Sequence, residues 1–501
     1  MRPILAGLDT EYGFSVEGRG AEDQIDDAKA LVRSFPGERI FAWDYSAESP
    51  RNDLRGFKVD ALASDPEDAK FDAGRRYGPA DEVRSDLVLA NGARLYNDHG
   101  HPEYATPETW SLAELALHDK AGDRAVVQAA AAFQESVGRD VRVYKNNTDF
   151  HGASYGTHES YLVPRAVTFE KLVNGLMPLL VVRQVLCGAG KVGSEHGRRC
   201  DYQMSQRADF FVEPFSAETL YRRPVFNTRD EPHADPRRWI RLHVICGESN
   251  MVSSAVRRKA GLVKLALHLI EADECPVWAL SDPVRSFQAV SRDPDGEGRV
   301  ELEGRSWTTP RSVLESYLEA AGPLVAAELP DSRAEELQQT AVECLELLEA
   351  RFDDPDRFAK SVDWAAKRSM LKRFAQEEGL RWRDPAMQSL DLEYHRIDGG
   401  EGLFPALLAA GAVDPGPDEA DVALRQERVF EPTRAFARSV AVRKFKERIK
   451  TLSWGSVVFE TDSGPRRVDL PPDREYPATL ERCETVEELI IELEADHDPE
   501  C

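Results

Sequence analysis

The chain has 501 residues, of which 42% are hydrophobic and 31% charged, and its formal net charge is −25. This length and hydrophobic content suit one large catalytic unit with an appended domain, and the spread of Gly and Pro excludes a repetitive chain. Because a net anion repels phosphate, the charge argues against a general nucleic-acid-binding protein.

The seven cysteines lie far apart and form no CxxC pair. Neither a disulfide framework nor a zinc site is predicted, and we expect a reducing, cytoplasmic location. No run of about 18 apolar residues is present, so we expect no membrane association. Asp9 comes too early for the apolar region of a signal peptide.

Strand and loop patterns alternate in the first hundred residues. A strand that becomes polar at its end is predicted from Ile4 to Tyr12. Residues 43–86 are rich in Asp, Arg, Gly and Pro, which predicts an inserted flexible loop, and loops this long are usually functional or disordered. Two apolar-alternating runs joined by Asn91-Gly92 predict a β-hairpin, because a type I′ turn needs positive φ at both central residues.

Helical patterns dominate the rest of the chain, with one clear further strand from Trp239 to Cys246. Helices are predicted over 112–136, 169–186, 252–271, 311–328, 333–352 and 357–378. A Pro/Asp-rich stretch at 413–419 and the pair Glu431-Pro432 suggest a boundary. We therefore predict a catalytic domain over residues 1–430 and a small C-terminal domain over residues 431–501.

The second strand of the predicted hairpin carries an unusual polar face, since Arg94, Tyr96 and Asp98 share one side of a strand with period two. Asp98, Glu103 and Glu108 then bring three carboxylates to one strand end. Carboxylates at this density repel one another unless a cation neutralises them, and Mg²⁺ is the usual hard-oxygen solution. The alternative is a solvated acidic loop, because charged side chains usually face water.

Other predicted strands repeat this polar pattern. Asp9 and Glu11 share one face at the end of the first strand, and Arg241 and His243 share one face of a later strand. His158 follows a glycine-bearing turn. A lone histidine is more often structural, but several such strands together favour an open sheet that holds Mg²⁺ and phosphates.

One glycine-rich motif matches a dinucleotide-binding pattern but lacks the flanking structure that such a site requires. The segment Gly188–Gly193 matches GxGxxG, but a helical pattern precedes it and no convincing helix follows. A dinucleotide site needs a strand before the motif and a helix after it. The same segment lacks the residues of a Walker A loop.

The motifs along the chain, taken together, resemble those of the Pup ligase/depupylase family, which belongs with glutamine synthetase to the carboxylate–amine ligase superfamily. The resemblance runs in order over nearly the whole chain. It rests on GLDTEYG, NGARLYNDHGHPEYATPE, YKNNTDFHGASYGTHESYL, MSQRAD, FNTRDEPHAD and RLHVICGESN, with weaker matches at DWAAKRSMLKRF, SLDLEYHRIDGGEGLF and SWGSVVFE.

The resemblance implies an α+β fold: a large glutamine synthetase-like domain with a curved antiparallel sheet and helices, plus a small C-terminal domain. It implies ATP and Mg²⁺ as cofactors, and the protein modifier Pup and pupylated proteins as partners. Asp98 would be the catalytic carboxylate. The implied metal ligands are Asp9, Tyr96, Glu103, His158 and His243. The implied ATP- and phosphate-binding residues are Gly7, Glu11, Arg94, Thr106, Glu108, Ser160, Arg207, Arg229, Arg241 and Trp454.

The residues also bear on which branch of the family the chain resembles. The long 43–86 segment and the run from Asp98 to Glu103 resemble the depupylase, whereas CGAGKV, NNTD and GESNM resemble the ligase. The long segment carries more weight, so we expect hydrolysis of the modifier's C-terminal glutamine amide and of its isopeptide bond to lysine. The alternatives are a ligase that forms this bond and a weakly active modifier-binding protein. Asp9 stands where the family carries Glu, and Ser160 where it carries Asn.

Overall fold

The computed structural model of the protein describes residues 2–60, 62, 86–149, 152–195, 197–220, 222–329, 331–399 and 401–495. Its strands are β1 (Ala6–Glu11), β2 (Gly13–Val16), β3 (Arg39–Ile40), β4 (Leu87–Leu89), β5 (Arg94–Asp98), β6 (His101–Ala105), β7 (Val141–Tyr144), β8 (Thr157–Pro164), β9 (Lys191–Val192), β10 (Tyr202–Gln203), β11 (Phe211–Ser216), β12 (Arg223–Asn227), β13 (Trp239–Val244), β14 (Val300–Glu301), β15 (Trp307–Thr308), β16 (Ile449–Leu452), β17 (Ser456–Thr461) and β18 (Gly464–Asp469). Its helices are α1 (Gln24–Arg33), α2 (Leu112–Val137), α3 (Phe169–Val182), α4 (Gln184–Cys187), α5 (Ser253–Glu271), α6 (Pro283–Ser291), α7 (Pro310–Glu328), α8 (Asp331–Asp353), α9 (Pro355–Ser361), α10 (Asp363–Glu378), α11 (Pro385–Tyr394), α12 (Leu403–Ala409), α13 (Glu419–Glu427), α14 (Arg434–Phe445) and α15 (Val486–Glu494).

A seven-stranded sheet, in the order β13-β8-β1-β6-β5-β4-β3, organises the large domain. All its strand pairs are antiparallel, which confirms the predicted α+β architecture with an antiparallel sheet. One face is apolar because alternate residues of its strands, such as Leu8, Tyr161 and Leu242, join a core shared with α2, α3 and α5. The polar residues between them lie on the opposite face.

The predicted hairpin forms from β4 and β5, but its turn differs from the type I′ expectation. Gly92 has a positive φ of 74°, whereas Asn91 stays outside the left-handed region. The Asn91 side chain instead accepts a hydrogen bond from the amide of Ala93 at 3.0 Å. Positive φ at two successive turn residues occurs between β5 and β6, at His99 (47°) and Gly100 (88°). That tight turn places Asp98 at the very end of its hairpin.

A second apolar core lies in the last part of the chain. It is built mainly from residues of α14, β16–β18 and α15, and it also takes up Trp43 and Val88 from the first hundred residues. The three strands β16, β17 and β18 form their own sheet. The C-terminal segment is therefore packed against the large sheet through shared apolar residues.

Residues 43–58, which we call the strap, begin the predicted long loop and are packed against the protein. The amide of Leu54 donates to the Thr228 carbonyl at 2.8 Å, and the Thr228 hydroxyl donates to Asp53 at 2.6 Å. Trp43 is buried. The prediction of a flexible loop therefore does not describe the strap, because aromatic and Asp side chains anchor it. Residue 61 and residues 63–85 of the predicted loop lie outside the described residues.

The glycine-rich segment, the cysteines and the helix lengths were also subjects of prediction. The GxGxxG segment contributes β9 to a two-stranded sheet with β10, so it does not form the strand–turn–helix unit of a dinucleotide site. The six cysteines among the described residues are all free thiols. No helix in the described ranges is long and apolar enough to cross a membrane.

Candidate active site

The strand register brings the predicted site residues together on the open face of the sheet. On the interior strand β1, Asp9 lies opposite His158 of β8, and Glu11 lies opposite Glu103 of β6. Tyr96 of β5 lies on the other side of Glu103. Residues that are far apart in sequence thus form adjacent rows on one polar surface.

Three carboxylates, which we call the acidic trio, meet at one end of this face. Glu11, Asp98 and Glu103 each offer an oxygen within 4.8 Å of the others. Burial, and then the charge of Asp98, raise the pKa of Glu11 to about 7. Burial and the same neighbour raise the pKa of Glu103 well above its ordinary value. These carboxyl groups therefore favour a bound cation, and an all-oxygen donor set fits a hard divalent ion.

The composition of the trio corrects one expectation. Asp98 and Glu103 were expected to meet Glu108, but Glu11 takes the third place. Glu108 instead forms ion pairs with Arg434 (2.7 Å) and Arg438 of α14. Although burial raises its pKa, these two guanidinium groups outweigh burial and lower the pKa of Glu108 to about 2.

The two predicted histidine ligands lie next to the trio. The His158 Nε2 atom is 4.0 Å from a Glu11 carboxylate oxygen, and the His158 and His243 rings are 5.3 Å apart. Both ring nitrogens of His243 are buried without a hydrogen-bond partner among the described residues. Burial lowers the pKa of His158 to about 3 and that of His243 well below its ordinary value. A neutral imidazole can donate a lone pair to a metal ion, and the unsatisfied nitrogens of His243 make its ring suited to that role.

The remaining predicted metal ligands are Asp9 and Tyr96, and each has another charged group close by. Asp9 lies 3.7 Å from the Arg241 guanidinium, and burial raises the pKa of Asp9. Burial and the neighbouring Glu103 hold the pKa of Tyr96 well above its ordinary value, so this phenol stays protonated.

A cleft of about 530 Å³ lies along the same face, between the sheet and the C-terminal segment. Predicted nucleotide residues line it on several sides: Gly7, Thr106, Glu108, Ser160, Arg241 and Trp454, together with Asp9. Ser160 fixes Arg241 by accepting a hydrogen bond from its Nε at 3.1 Å. The cleft thus combines the Arg241 guanidinium, small polar side chains and the Trp454 indole ring. These groups suit the phosphates and the base of a nucleotide.

Two predicted phosphate ligands lie outside this lining. Arg207 is fully buried and donates to the carbonyls of Ile245 (2.8 Å) and Gly247 (2.7 Å). Arg229 donates to Thr219 at 3.1 Å, and its Nε is buried without a partner among the described residues. Such an unsatisfied cationic donor fits an anion.

Arg94 was predicted to bind ATP or phosphate, but it is not among the residues that line the cleft. Its guanidinium instead contacts the strap. It donates to Asp86 at 2.7 Å and to the Tyr45 hydroxyl at 3.3 Å. It also lies over the rings of Trp43 and Tyr96, at 4.4 and 4.0 Å from their centroids.

Sequence reasoning missed two cleft residues, His233 and Arg434. His233 has a positive φ of 49°, and its Nε2 lies 3.1 Å from an Arg241 nitrogen. The available signal was the motif FNTRDEPHAD, which contains this histidine. Arg434 gave no comparable signal, because it reaches the cleft from α14.

Comparison with known proteins identifies the family that this fold and site define. The sequence profile of a family described as Pup-ligase protein matches residues 4–458. The chain belongs to this family of Pup ligases and depupylases.

Its similarity to curated relatives differs in extent between the two branches. The depupylase of Acidothermus cellulolyticus is 38% identical over 510 residues, which cover 98% of this chain and 99% of the relative. The Pup deamidase/depupylase of Mycobacterium tuberculosis is 36% identical over 513 residues, with the same coverage. The Pup–protein ligase of Actinosynnema mirum is 38% identical over 379 residues, which cover 74% of this chain and 83% of the ligase.

Solved structures of the ligase PafA are similar to this fold. The complex of PafA with the prokaryotic ubiquitin-like protein Pup has a TM-score of 0.77 at 27% identity, covering 98% of this chain and 92% of that one. PafA with ADP has a TM-score of 0.72 at 29% identity, covering 90% and 99%. The fold and the family predicted from the sequence are therefore confirmed.

Proposed function

We propose that this protein hydrolyses the side-chain amide of the C-terminal glutamine of Pup, and the isopeptide bond between Pup and a lysine of a modified protein. The observation that carries the proposal is the acidic trio beside a cleft lined by Arg241 and Trp454, in a chain similar to depupylases over nearly its whole length. We also infer that it acts in the cytoplasm, in keeping with its free thiols.

The donor sets support Mg²⁺ at the trio and ATP in the cleft. When bound, Mg²⁺ and ATP would supply positive charge and phosphate oxygens to the polar face. Glu11 and Glu103 would hold the metal, with His158 and His243 as nitrogen donors nearby. Arg229 and Arg241 would neutralise phosphate charge, and Trp454 would contact the base.

Asp98 is the proposed catalytic carboxylate, acting on the amide carbonyl carbon as a nucleophile or on a water molecule as a general base. Its position at the end of β5, before the tight His99-Gly100 turn, leaves its side chain half-buried at the edge of the polar face. Water supplies the oxygen of the new side-chain carboxyl group, either directly in the general-base route or by hydrolysing the anhydride with Asp98 in the nucleophilic route. The amine leaves as ammonia or as the lysine side chain, and Asp98 is regenerated.

The ligase is the second candidate, favoured by the similar folds of PafA. It would form the isopeptide bond from the same modifier and a target lysine. A third candidate, a weakly active modifier-binding protein, rests on Asp9 alone and is opposed by the presence of Asp98.

One experiment separates these candidates. Purified protein is incubated with Mg-ATP and either a Pup conjugate or free Pup together with a target protein. Loss of conjugate, and ammonia release from Pup ending in glutamine, support the hydrolase. New conjugate from Pup ending in glutamate supports the ligase. Neither change, with binding of Pup retained, supports the modifier-binding protein.

A further inference from the structure

A second cavity, of about 820 Å³, lies at the other end of β1 from the nucleotide cleft. Gly7, near the start of β1, lines the cleft, whereas Glu11, at its end, lines the second cavity. His99, which follows Asp98, also lines this cavity. Because Glu11 belongs to the acidic trio, the cavity adjoins the proposed reaction centre.

Arg223 is the one arginine or lysine among the described residues that line this cavity. Its guanidinium is held in place, since it donates to the Ser154 carbonyl at 2.8 Å and to the Thr219 carbonyl at 3.1 Å. Its charge reaches the proposed site: after burial, Arg223 is the main cause that lowers the pKa of Arg207 to about 10. Asp149 also lines the cavity, and its side chain accepts the amide of Ala153 at 3.0 Å.

The substrate of the proposed function carries a matching charge. A C-terminal glutamine that reacts at its side-chain amide keeps a free main-chain carboxylate, and so does the same residue in an isopeptide. An internal glutamine has a neutral peptide group at that position. A guanidinium binds a carboxylate with two parallel hydrogen bonds, which makes it a selective receptor for this difference.

We propose that Arg223 binds the main-chain carboxylate of the modifier's last residue and thereby restricts the reaction to a chain terminus. The assignment rests on the proposed hydrolase function. It makes Arg223 a specificity-determining residue, because the carboxylate it binds is not the group that reacts.

A substrate-and-enzyme cycle tests the assignment. The two substrates are C-terminal peptides of Pup that end in glutamine, one with a free main-chain carboxylate and one with a main-chain N-methylamide, and ammonia release is measured with Mg-ATP. The kcat/KM of the wild type is expected to be about 10- to 100-fold lower on the N-methylamide than on the free acid, because the N-methylamide loses a hydrogen bond between charged groups. Arg223→Gln is expected to lower kcat/KM on the acid peptide by a similar factor and to leave the N-methylamide rate nearly unchanged.

Matched variants separate charge from structure. Arg222→Gln removes the same charge one residue away, from an exposed side chain paired with Glu213, and is expected to change neither rate. Arg223→Lys is expected to recover part of the acid-peptide rate, because it keeps the charge and loses the paired geometry.

Each remaining outcome overturns the assignment in a distinguishable way. If the wild type cleaves both peptides at the same rate, Arg223 does not select the terminus, while the hydrolase function stands. If Arg223→Gln lowers both rates equally, Arg223 acts only through Ser154, which also contacts Arg207. If the wild type cleaves neither peptide but binds nucleotide, the proposed function fails, and this assignment fails with it.

Discussion

Asp98 is the residue on which the proposed chemistry depends most directly. It is one of the three carboxylates that meet within 4.8 Å. Asp98→Asn keeps the shape of the side chain and loses its nucleophilicity and basicity. We expect turnover of a Pup conjugate to fall at least about 100-fold while the Kd for ATP changes little, because Asp98 does not line the cleft.

The measurement pairs single-turnover conjugate cleavage with ATP binding by calorimetry. Asp140→Asn is the matched control, since Asp140 is exposed and pairs with Arg142 at the surface. Retention of more than a small fraction of wild-type cleavage by Asp98→Asn would remove Asp98 from the mechanism.

At the level of elements, Glu108 connects the large sheet to α14 through Arg434 and Arg438. Glu108→Gln leaves two buried cations without their carboxylate, so the free energy of unfolding is expected to fall by about 3 kcal/mol or more. Chemical unfolding of both proteins at neutral pH measures this difference.

The same ion pairs predict a pH dependence. The folded pKa of Glu108 is lowered from 4.5 to about 2. The stabilisation is therefore complete above the unfolded pKa and is lost as the pH falls toward the folded pKa. The difference between wild type and Glu108→Gln should stay constant above about pH 5.5 and shrink below about pH 4.5. A difference that grows on acidification would contradict the assigned ion pairs.

The strap is a second element with a testable attachment. The Thr228 hydroxyl donates to the buried carboxylate of Asp53, and Asp53 also pairs with the backbone of Arg229. Asp53→Ala should loosen the strap beside Arg229 and lower kcat/KM for conjugate cleavage by about 10- to 100-fold, because a hydrogen bond to a charged group contributes about 1.5–3 kcal/mol.

A double-mutant cycle checks this attachment. Thr228→Val removes the same hydrogen bond from the other side, so the double variant should be no worse than the poorer single variant. Fully additive losses would show that Asp53 and Thr228 act separately.

For the whole molecule, nucleotide binding should join the sheet to the C-terminal segment. The cleft is lined by Gly7 and Thr106 from one side and by Arg434 and Trp454 from the other. Mg-ATP at about 100 times its Kd should stabilise the folded state by about 2.7 kcal/mol. Trp454→Ala should raise the Kd about 5- to 100-fold, because stacking of a base on an aromatic ring contributes about 1–3 kcal/mol.

Thermal unfolding with and without Mg-ATP tests this expectation. Trp307→Ala serves as the control, since this tryptophan is 57% exposed and lies on the small β14–β15 sheet. Equal nucleotide-induced shifts of the melting temperature in wild type and Trp454→Ala would exclude Trp454 from the site.

The sequence predicted contacts between site residues that are close together in the chain, but not between residues that are far apart. Asp98 and Glu103 lie on neighbouring strands of one hairpin, so a local pattern was sufficient to place them together. Glu11 replaced Glu108 in the trio because strand order, which no local pattern records, puts β1 beside β6. Arg94 was placed on the correct face, but its partners Tyr45 and Asp86 both lie in the segment whose composition suggested an unpacked loop.

Arg94 also affects how this chain can diverge and be engineered. Tyr45 and Glu48 approach its guanidinium from the start of the strap, at 3.3 and 3.8 Å, and Asp86 approaches from the other end of the 43–86 segment. Because both ends of the segment meet at one side chain of β5, residues can be added or removed between them without separating β4 from β5. We therefore expect that changing the length of this segment leaves the geometry of the acidic trio unchanged. A reporter domain inserted within residues 63–85 would test whether loop length alone alters substrate selectivity.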